Sequence, residues 1–289
     1  MTRLSFVPKF FSTSFLALIL TGCGGGGSEG SSQVSQPILN APQNVQAVAQ
    51  DREISIMWSS DNTADSYDVY VASDLELNFE NYSVYENSTR FLDVTPPISF
   101  TPSDLSPLYR VVVVAKQGAR EAAHTDLVMV APRYTDQGDT VLDHVTSLVW
   151  MKCAIGQVFD EGQNTCLNDP ARLTRRETES YINANAPEFR LPTESELITL
   201  VHCKSAKPKF FLTDTNEQCE SIDQGASIYT PIFSGTIYYS SIDGYRTSTV
   251  YDNFDGIITY TRVSFGPKGG KSGVQASDPV PMNVRLVKR

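Results

Sequence analysis

The residues with the most chemical potential are five cysteines (Cys23, Cys153, Cys166, Cys203 and Cys219) and three histidines (His124, His144 and His202). Cys203 follows His202, and a thiol beside an imidazole is the raw material of a nucleophile–base pair. The four later cysteines invite a zinc reading. Their separations, 13 and 16 residues, include no close Cys-x-x-Cys half-site, which argues against zinc. His124 falls in a hairpin pattern of the first half and His144 near the start of the second, so the histidines do not cluster. Glu194 and Glu196 are two apart and diverge on a helix, which makes a poor acid/base pair. Asp252, Asn253 and Asp255 offer oxygens to calcium, but their spacing is not that of an EF-hand and the distal glutamate is missing. There is no phosphate-binding loop and no His-Glu-x-x-His helix. No motif calls for a catalytic residue, a metal or a cofactor.

The state of the cysteines depends on the compartment, which the N-terminus addresses. Arg3 and Lys9 precede a short apolar run, Phe10–Leu20, which leads into Leu20-Thr21-Gly22-Cys23. A basic start and an apolar stretch too short to span a bilayer describe an export signal. The Leu-Thr-Gly-Cys string resembles the bacterial lipoprotein cleavage box. That resemblance implies a signal peptide over residues 1–22 and lipid on Cys23, the chain's link to a membrane. Gly24 in place of an aspartate resembles lipoproteins sorted to the outer membrane, so a cell-envelope location is expected. Residues 23–39 are rich in Gly and Ser and read as a flexible tether. Export favours disulfides. Four cysteines allow three pairings, and the short separations favour Cys153–Cys166 and Cys203–Cys219, each stabilising by about 3 kcal/mol in the loop-entropy account. A disulfide-bonded Cys203 has no thiolate for His202 to activate.

The remaining length suits two modest domains. Residues 40–131 carry 13 acidic and 5 basic side chains, net −8, and residues 132–289 carry 19 and 16, net −3. Neither half has the positive field that nucleic-acid binding needs, and no solenoid period is visible. In the first half, "VQAVAQ", "ISIMWS", "SYDVYVA" and "YRVVVVAK" are β-rich runs between polar breaks, which predicts about seven strands in a two-sheet sandwich. Tyr67, Val69 and Val71 fall on one face, with Asp68 and Tyr70 on the other. Residues 40–131 resemble a fibronectin type III domain. Trp58 stands at the core tryptophan, and Leu105 with Tyr109 at the entry to the penultimate strand. Such a module acts mostly as a spacer, and the chain has no Arg-Gly-Asp in it.

The second half has local signals of its own. Thr193 is a good N-cap and Glu196 completes a capping box, while Pro192 holds the entering chain extended. Leu197, Leu200 and Val201 then fall on one helical face. A second box, Thr174 with Glu177, predicts a helix through about Ala184. First-turn positions account for Glu194 and Glu196 through the exposed N–H groups and the helix dipole. The stretch "FRLPTESELITLVHC" is scaffold.

Three strings carry a family resemblance. They are Asp136, Gly138, Val141, Asp143 and Leu148-Val149-Trp150; then Arg190-Leu191-Pro192-Thr193 with Glu196-Leu197; then Val284-Arg285. In this order they resemble the family of C-terminal domains of Legionella collagen-like proteins over residues 132–289. The resemblance implies an α+β, C-type-lectin-like domain in a bacterial surface setting, and the Legionella relatives form trimers and bind sulfated glycosaminoglycans. The fold expected for the whole chain is therefore a β-sandwich (immunoglobulin/fibronectin-like) followed by that α+β domain. Trp58, Tyr109, Trp150, Arg190, Pro192, Thr193 and Glu196 are expected to be structural. Tyr239 stands where the family has a tryptophan before the paired serines, and the segment from Cys203 to Ser240 departs from the family pattern.

The function expected is that of a non-catalytic cell-envelope lipoprotein, a surface adhesin or ligand-binding protein recognising a glycan or a surface protein. The alternative is a structural accessory subunit of an envelope or pilus-like assembly. Tyr238, Tyr239, Tyr245, Arg246 and Tyr251 offer aromatic and polar contacts, although the same tyrosines would equally cover a sheet. Lys204, Lys207 and Lys209 form the most compact positive run. The leader yields a direct prediction. Replacing Cys23 by Ser should release the protein from membranes, and mass spectrometry of the mature N-terminus should find diacylglycerol on Cys23 of the native chain alone.

Overall fold

Alternation of apolar and polar residues builds the first lobe as a sandwich. In the computed structural model its strands are β1 (Gln43–Gln50), β2 (Glu53–Ser59), β3 (Ser66–Ala72), β4 (Thr89–Val94), β5 (Ile98–Phe100), β6 (Tyr109–Gln117), β7 (Arg120–Ala123) and β8 (Val128–Val130). One sheet runs β1-β2-β5 and the other β4-β3-β6-β7, with β8 also paired to β6. Trp58, Val69, Val71, Val111 and Val113 fill the space between them. Trp58 meets Tyr67 edge-on at 5.3 Å. The Tyr109 hydroxyl donates to the Asp104 carbonyl at 2.7 Å, the corner that pins the start of a penultimate sandwich strand. The outer face of β3 is buried too. Tyr70 and Ala72 pack with Leu77, Val112 and Val114 beneath the segment that follows β3, and Asp68 is held by Lys116 at 3.1 Å.

The structure describes residues 37–73, 76–220, 227–236, 244–251, 258–276 and 280–289. The signal peptide, Cys23, most of the tether, Tyr238, Tyr239 and the Asp252–Asn253–Asp255 cluster lie outside them.

The second lobe is assembled by the return of its last strand. It comprises β9 (Tyr134–Asp136), β10 (Thr140–Asp143), β11 (Leu148–Met151), β12 (Val158–Asp160), β13 (Thr165–Leu167), α1 (Arg175–Asn185), β14 (Phe189–Arg190), α2 (Glu194–Ile198), β15 (Tyr245–Tyr251), β16 (Thr259–Ser264), β17 (Gly270–Ala276) and β18 (Val287–Lys288). β18 enters a five-stranded sheet between β14 and β11, in the order β14-β18-β11-β10-β9, while β15-β16-β17 form a second sheet and β12-β13 a hairpin. Both cystines form as the spacing predicts, Cys153–Cys166 and Cys203–Cys219. Trp150, fully buried, anchors a core that includes Tyr134, Val141, Leu197, Phe233 and Val287.

Both capping boxes are present. The second helix is shorter than its apolar spacing predicts, ending at Ile198. The Thr199 hydroxyl turns back to the Glu196 carbonyl at 2.7 Å. Leu200 and Val201 then close tight i→i+3 bonds, and Val201 and His202 leave as bridges to Ile228 and Phe211. Leu200 and Val201 are still fully buried, but tertiary pairing of a β-branched run outweighs helix continuation.

The lobes form one compact unit over Ile38–Arg289. Leu108 and Ala131 of the sandwich belong to the core of the second lobe, and the Asp51 N–H donates to Thr135 Oγ1 at 3.0 Å.

Charge is buried here with its partners. Arg133 and Asp143, 2% and 0% exposed, pair through two bonds of 2.9 and 2.5 Å. The guanidinium lies 4.6 Å from the centre of the Phe211 ring, and Asp143 also accepts from the Val145 N–H and the Thr146 hydroxyl. Removing one member of a buried pair leaves an uncompensated charge. Asp143→Ala is therefore expected to cost about 3–5 kcal/mol, read by chemical denaturation of the whole chain.

Candidate functional site

A groove of about 500 Å³ lies where α1, the turn after β14 and strand β15 meet. From α1 come Arg175, Glu179, Ile182 and Asn183, spaced so that a single helical face presents them. Thr174 caps that helix, with its hydroxyl taking the Glu177 N–H while Glu177 takes the Thr174 N–H. Arg175 pairs with Glu179 at 3.0 Å and lies over the Tyr260 ring at 3.8 Å.

The opposite wall is the Arg190–Thr193 turn. Arg190 donates twice to Glu196, at 2.7 and 2.6 Å, and the same carboxylate takes the Thr193 N–H at 2.8 Å. The Thr193 hydroxyl in turn accepts the Glu196 N–H at 3.2 Å. The Pro192 carbonyl accepts from the Ser248 N–H and hydroxyl at 2.7 and 3.1 Å, which binds the turn to β15. Arg289 completes the rim, its Nε donating to the Phe189 carbonyl at 3.2 Å. Three guanidinium groups thus line the groove with Glu179, Asn183, Thr193 and Ser248, Arg175 already paired with Glu179 and Arg190 with Glu196, over a floor of buried Ile182 and Leu191. Such a surface can hold an anion bidentately and hydrogen-bond hydroxyl groups. It assembles no nucleophile beside a base.

The residues nominated from sequence are placed otherwise. Of the candidate contacts, Tyr245 and Arg246 are buried at 1% and 2% exposure. The C-terminal segment covers the start of β15, through the Tyr245–Asn283 bridge. Tyr245 packs on Phe265 at 5.0 Å, while Arg246 donates to the carbonyls of Leu173 and Val280. Tyr251 is 49% exposed at the far end of that strand, away from the groove lining. The lysine run is offset within its own loop. Lys209 meets Glu217 at 2.9 Å and Lys207 meets Glu220 at 3.9 Å, because the Cys203–Cys219 bridge folds the acidic half of the loop back onto the basic half. Lys204 is exposed nearby. Only Arg190 and Thr193, nominated as structural, line the groove. Arg175, Glu179, Asn183 and Ser248 were not singled out by sequence reasoning; the one available signal was the polar i, i+4, i+8 face of α1.

The histidines have separate surroundings. His202 is packed against Phe211 and Tyr229 at 5.1 and 5.9 Å, and its neighbour Cys203 is bonded to Cys219. His144 contacts Thr135 at 2.7 Å, and His124 accepts the Val113 N–H at 2.9 Å inside the sandwich. Among the described residues no group of three or more His, Cys, Asp or Glu side chains converges to hold a metal, and no helix is long and apolar enough to cross a membrane.

Fold and groove together define a β-sandwich joined to a disulfide-bonded mixed lobe whose central turn is clamped by an arginine–glutamate pair. The model of the Lcl C-terminal domain matches residues 139–288, just over half of the chain. The chain belongs to that family. A solved structure described as a Fn3-like protein from Clostridium thermocellum is similar over 31% of this chain and 88% of its own, at 17% identity and a TM-score of 0.25. The sandwich assignment rests on the strand order given above. No curated protein matches the chain.

The clamp has a measurable pH signature. The Glu196 carboxyl is held at about 2, against an ordinary 4.5, first by the hydrogen bonds from Arg190 and further by the Thr193 N–H, with burial opposing. Its folded pKa lies below its unfolded one. The clamp's stabilisation is therefore complete above pH 4.5 and is lost as pH falls toward about 2. Glu196→Gln keeps a side chain that can cap Thr193 but removes the charge. It should lower stability at pH 7 by about 1–3 kcal/mol, and the difference from the native chain should close between pH 4.5 and about 2 when unfolding is followed along that series.

Proposed function

We propose that this protein is a non-catalytic binding protein of the cell envelope, held at the outer membrane by lipid on Cys23, whose second lobe takes an acidic glycan in the groove between α1 and the Arg190–Thr193 turn. The observation that carries the reading is that three arginines, Arg175, Arg190 and Arg289, against one acid, Glu179, line a groove with hydrogen-bonding side chains and an apolar floor. Guanidinium groups match sulfate and carboxylate geometry. Asn183, Thr193 and Ser248 suit sugar hydroxyls, and Ile182 with Leu191 suits the apolar edge of a ring. The insertion of β18 between β14 and β11 supports a C-type-lectin-like head. The sandwich then acts as a spacer between head and tether.

The chain as a whole carries a net charge of −10, which repels polyanions at long range. Recognition must therefore be short-range and local to the groove. The test is binding of sulfated and uronic-acid oligosaccharides to the folded chain at several salt concentrations. Arg175→Gln with Arg289→Gln should weaken binding at least tenfold, about 1.4 kcal/mol, and flatten its salt dependence. Changing Lys204, Lys207 and Lys209 together to Gln should change affinity little. Undiminished binding by the folded arginine double variant would overturn the assignment of this groove.

A further inference from the structure

Beside the Cys153–Cys166 cystine, three side chains meet outside the groove. Lys152 follows β11, and its side chain is 0% exposed. Its Nζ lies 2.6 Å from Asp136 Oδ2 and 2.5 Å from Asn164 Oδ1. Asn164 Nδ2 donates to the same Asp136 Oδ2 at 2.8 Å. The other oxygen of that carboxylate, Oδ1, takes the Gly138 N–H at 3.1 Å, which fixes the carboxyl group with Oδ2 toward both nitrogens. The Phe159 ring centre lies 5.1 Å from Nζ.

The backbone explains how these groups come together. Asn164 occupies the turn of the β12–β13 hairpin with a left-handed φ of 50°. The hairpin is tied down by Cys166 to Cys153, the residue next to Lys152. A buried amine, the carboxamide of an exposed hairpin turn and a carboxylate are thereby held within hydrogen-bonding reach, and one carboxylate oxygen touches both the nitrogen that would attack and the nitrogen that would leave.

We propose that Lys152 and Asn164 become joined by an intramolecular amide bond, formed by the chain itself with Asp136 as the catalytic proton carrier. Asp136 accepts one proton from the Lys152 ammonium, giving a neutral amine beside a neutral acid. The Nζ lone pair adds to Cγ of Asn164, and the carbonyl electron pair moves to Oδ1. Asp136 returns its proton to Nδ2, the C–Nδ2 bond breaks as the carbonyl re-forms, and ammonia departs. Nζ gives up a second proton to Asp136, which the ammonia carries off as ammonium. One N–C bond forms and one breaks, the carboxylate is regenerated, and no oxidant or reductant is needed. Fixed proximity replaces a bimolecular encounter. Asp136 and Asn164 both line a cavity of about 370 Å³ between the lobes, through which ammonia can leave.

The measurement is peptide mapping by tandem mass spectrometry of the purified full chain, after reduction and alkylation remove the cystines. The expected result is one branched peptide joining the Lys152 and Asn164 segments, lighter than the two linear peptides together by one ammonia. Asp136→Ala and Asn164→Ala should each return the linear peptides alone. Recovery from the native chain of a linear peptide with a free Lys152 amine and another with intact Asn164 would overturn the proposal. So would a branched peptide formed with loss of water between Lys152 and Asp136, which would make Asp136 the acyl donor. The native chain decides the question by itself, so a variant that failed to fold would not remove the test.

Discussion

One carboxylate organises the centre of the second lobe. Glu196 takes two hydrogen bonds from Arg190 and a third from the Thr193 N–H, so a single side chain fixes the end of β14, the turn and the first turn of α2. A carboxylate can satisfy about four donors, and here most of that capacity is used. Because the turn is rigid, the Pro192 carbonyl is presented to Ser248, and β15 is held at a set distance from α1. The groove exists because those two walls cannot close on each other. Substituting Arg190 to probe ligand binding would consequently disturb the scaffold as well as the site.

The same lobe buries cations at an unusual density and provides for each in a different way. Arg133 has a carboxylate, and Lys152 has a carboxylate and a carboxamide. Arg285, 0% exposed, donates to the carbonyls of Met151 and Lys152 and to the Thr236 hydroxyl, with the Phe233 ring centre 5.0 Å away. Burial pushes its pKa down, and the ring of acceptors offsets the loss of water. Such groups contribute modestly to net stability, since desolvation consumes most of the attraction. They do restrict the geometry. Arg285 reaches Met151 and Lys152 only when the C-terminal strand lies in its place beside β11, so the buried donor enforces the register of β18.

The joint between the lobes bears on how the head is displayed. Leu108 and Ala131 contribute to the second lobe's core, and the Asp51 N–H bonds to Thr135, whose hydroxyl also meets His144. Shared apolar burial makes the sandwich a fixed support for the second lobe.

What the sequence determined by itself was whatever depends on neighbours along the chain. The capping boxes at Thr174 and Thr193 need only a hydroxyl and a glutamate three residues on, and both form. The cystines join cysteines 13 and 16 residues apart, and both pair. Period-two alternation was enough to read the sandwich, in which Trp58 packs in the core and the Tyr109 hydroxyl bonds the Asp104 carbonyl. Tertiary structure decided everything that depends on which distant surface arrives. Tyr245 and Arg246 are buried by a segment about forty residues further on, and no local pattern distinguishes a tyrosine awaiting cover from one facing solvent. Lys207 and Lys209 of the lysine run meet glutamates that only the folded loop brings back. The groove draws on α1, the turn, β15 and the last residue of the chain, and the Asp136–Lys152–Asn164 cluster on three separate strands and turns. Local order follows from short-range hydrogen bonding and periodicity, whereas a site is a convergence of segments whose separation in sequence carries no record of their distance in space.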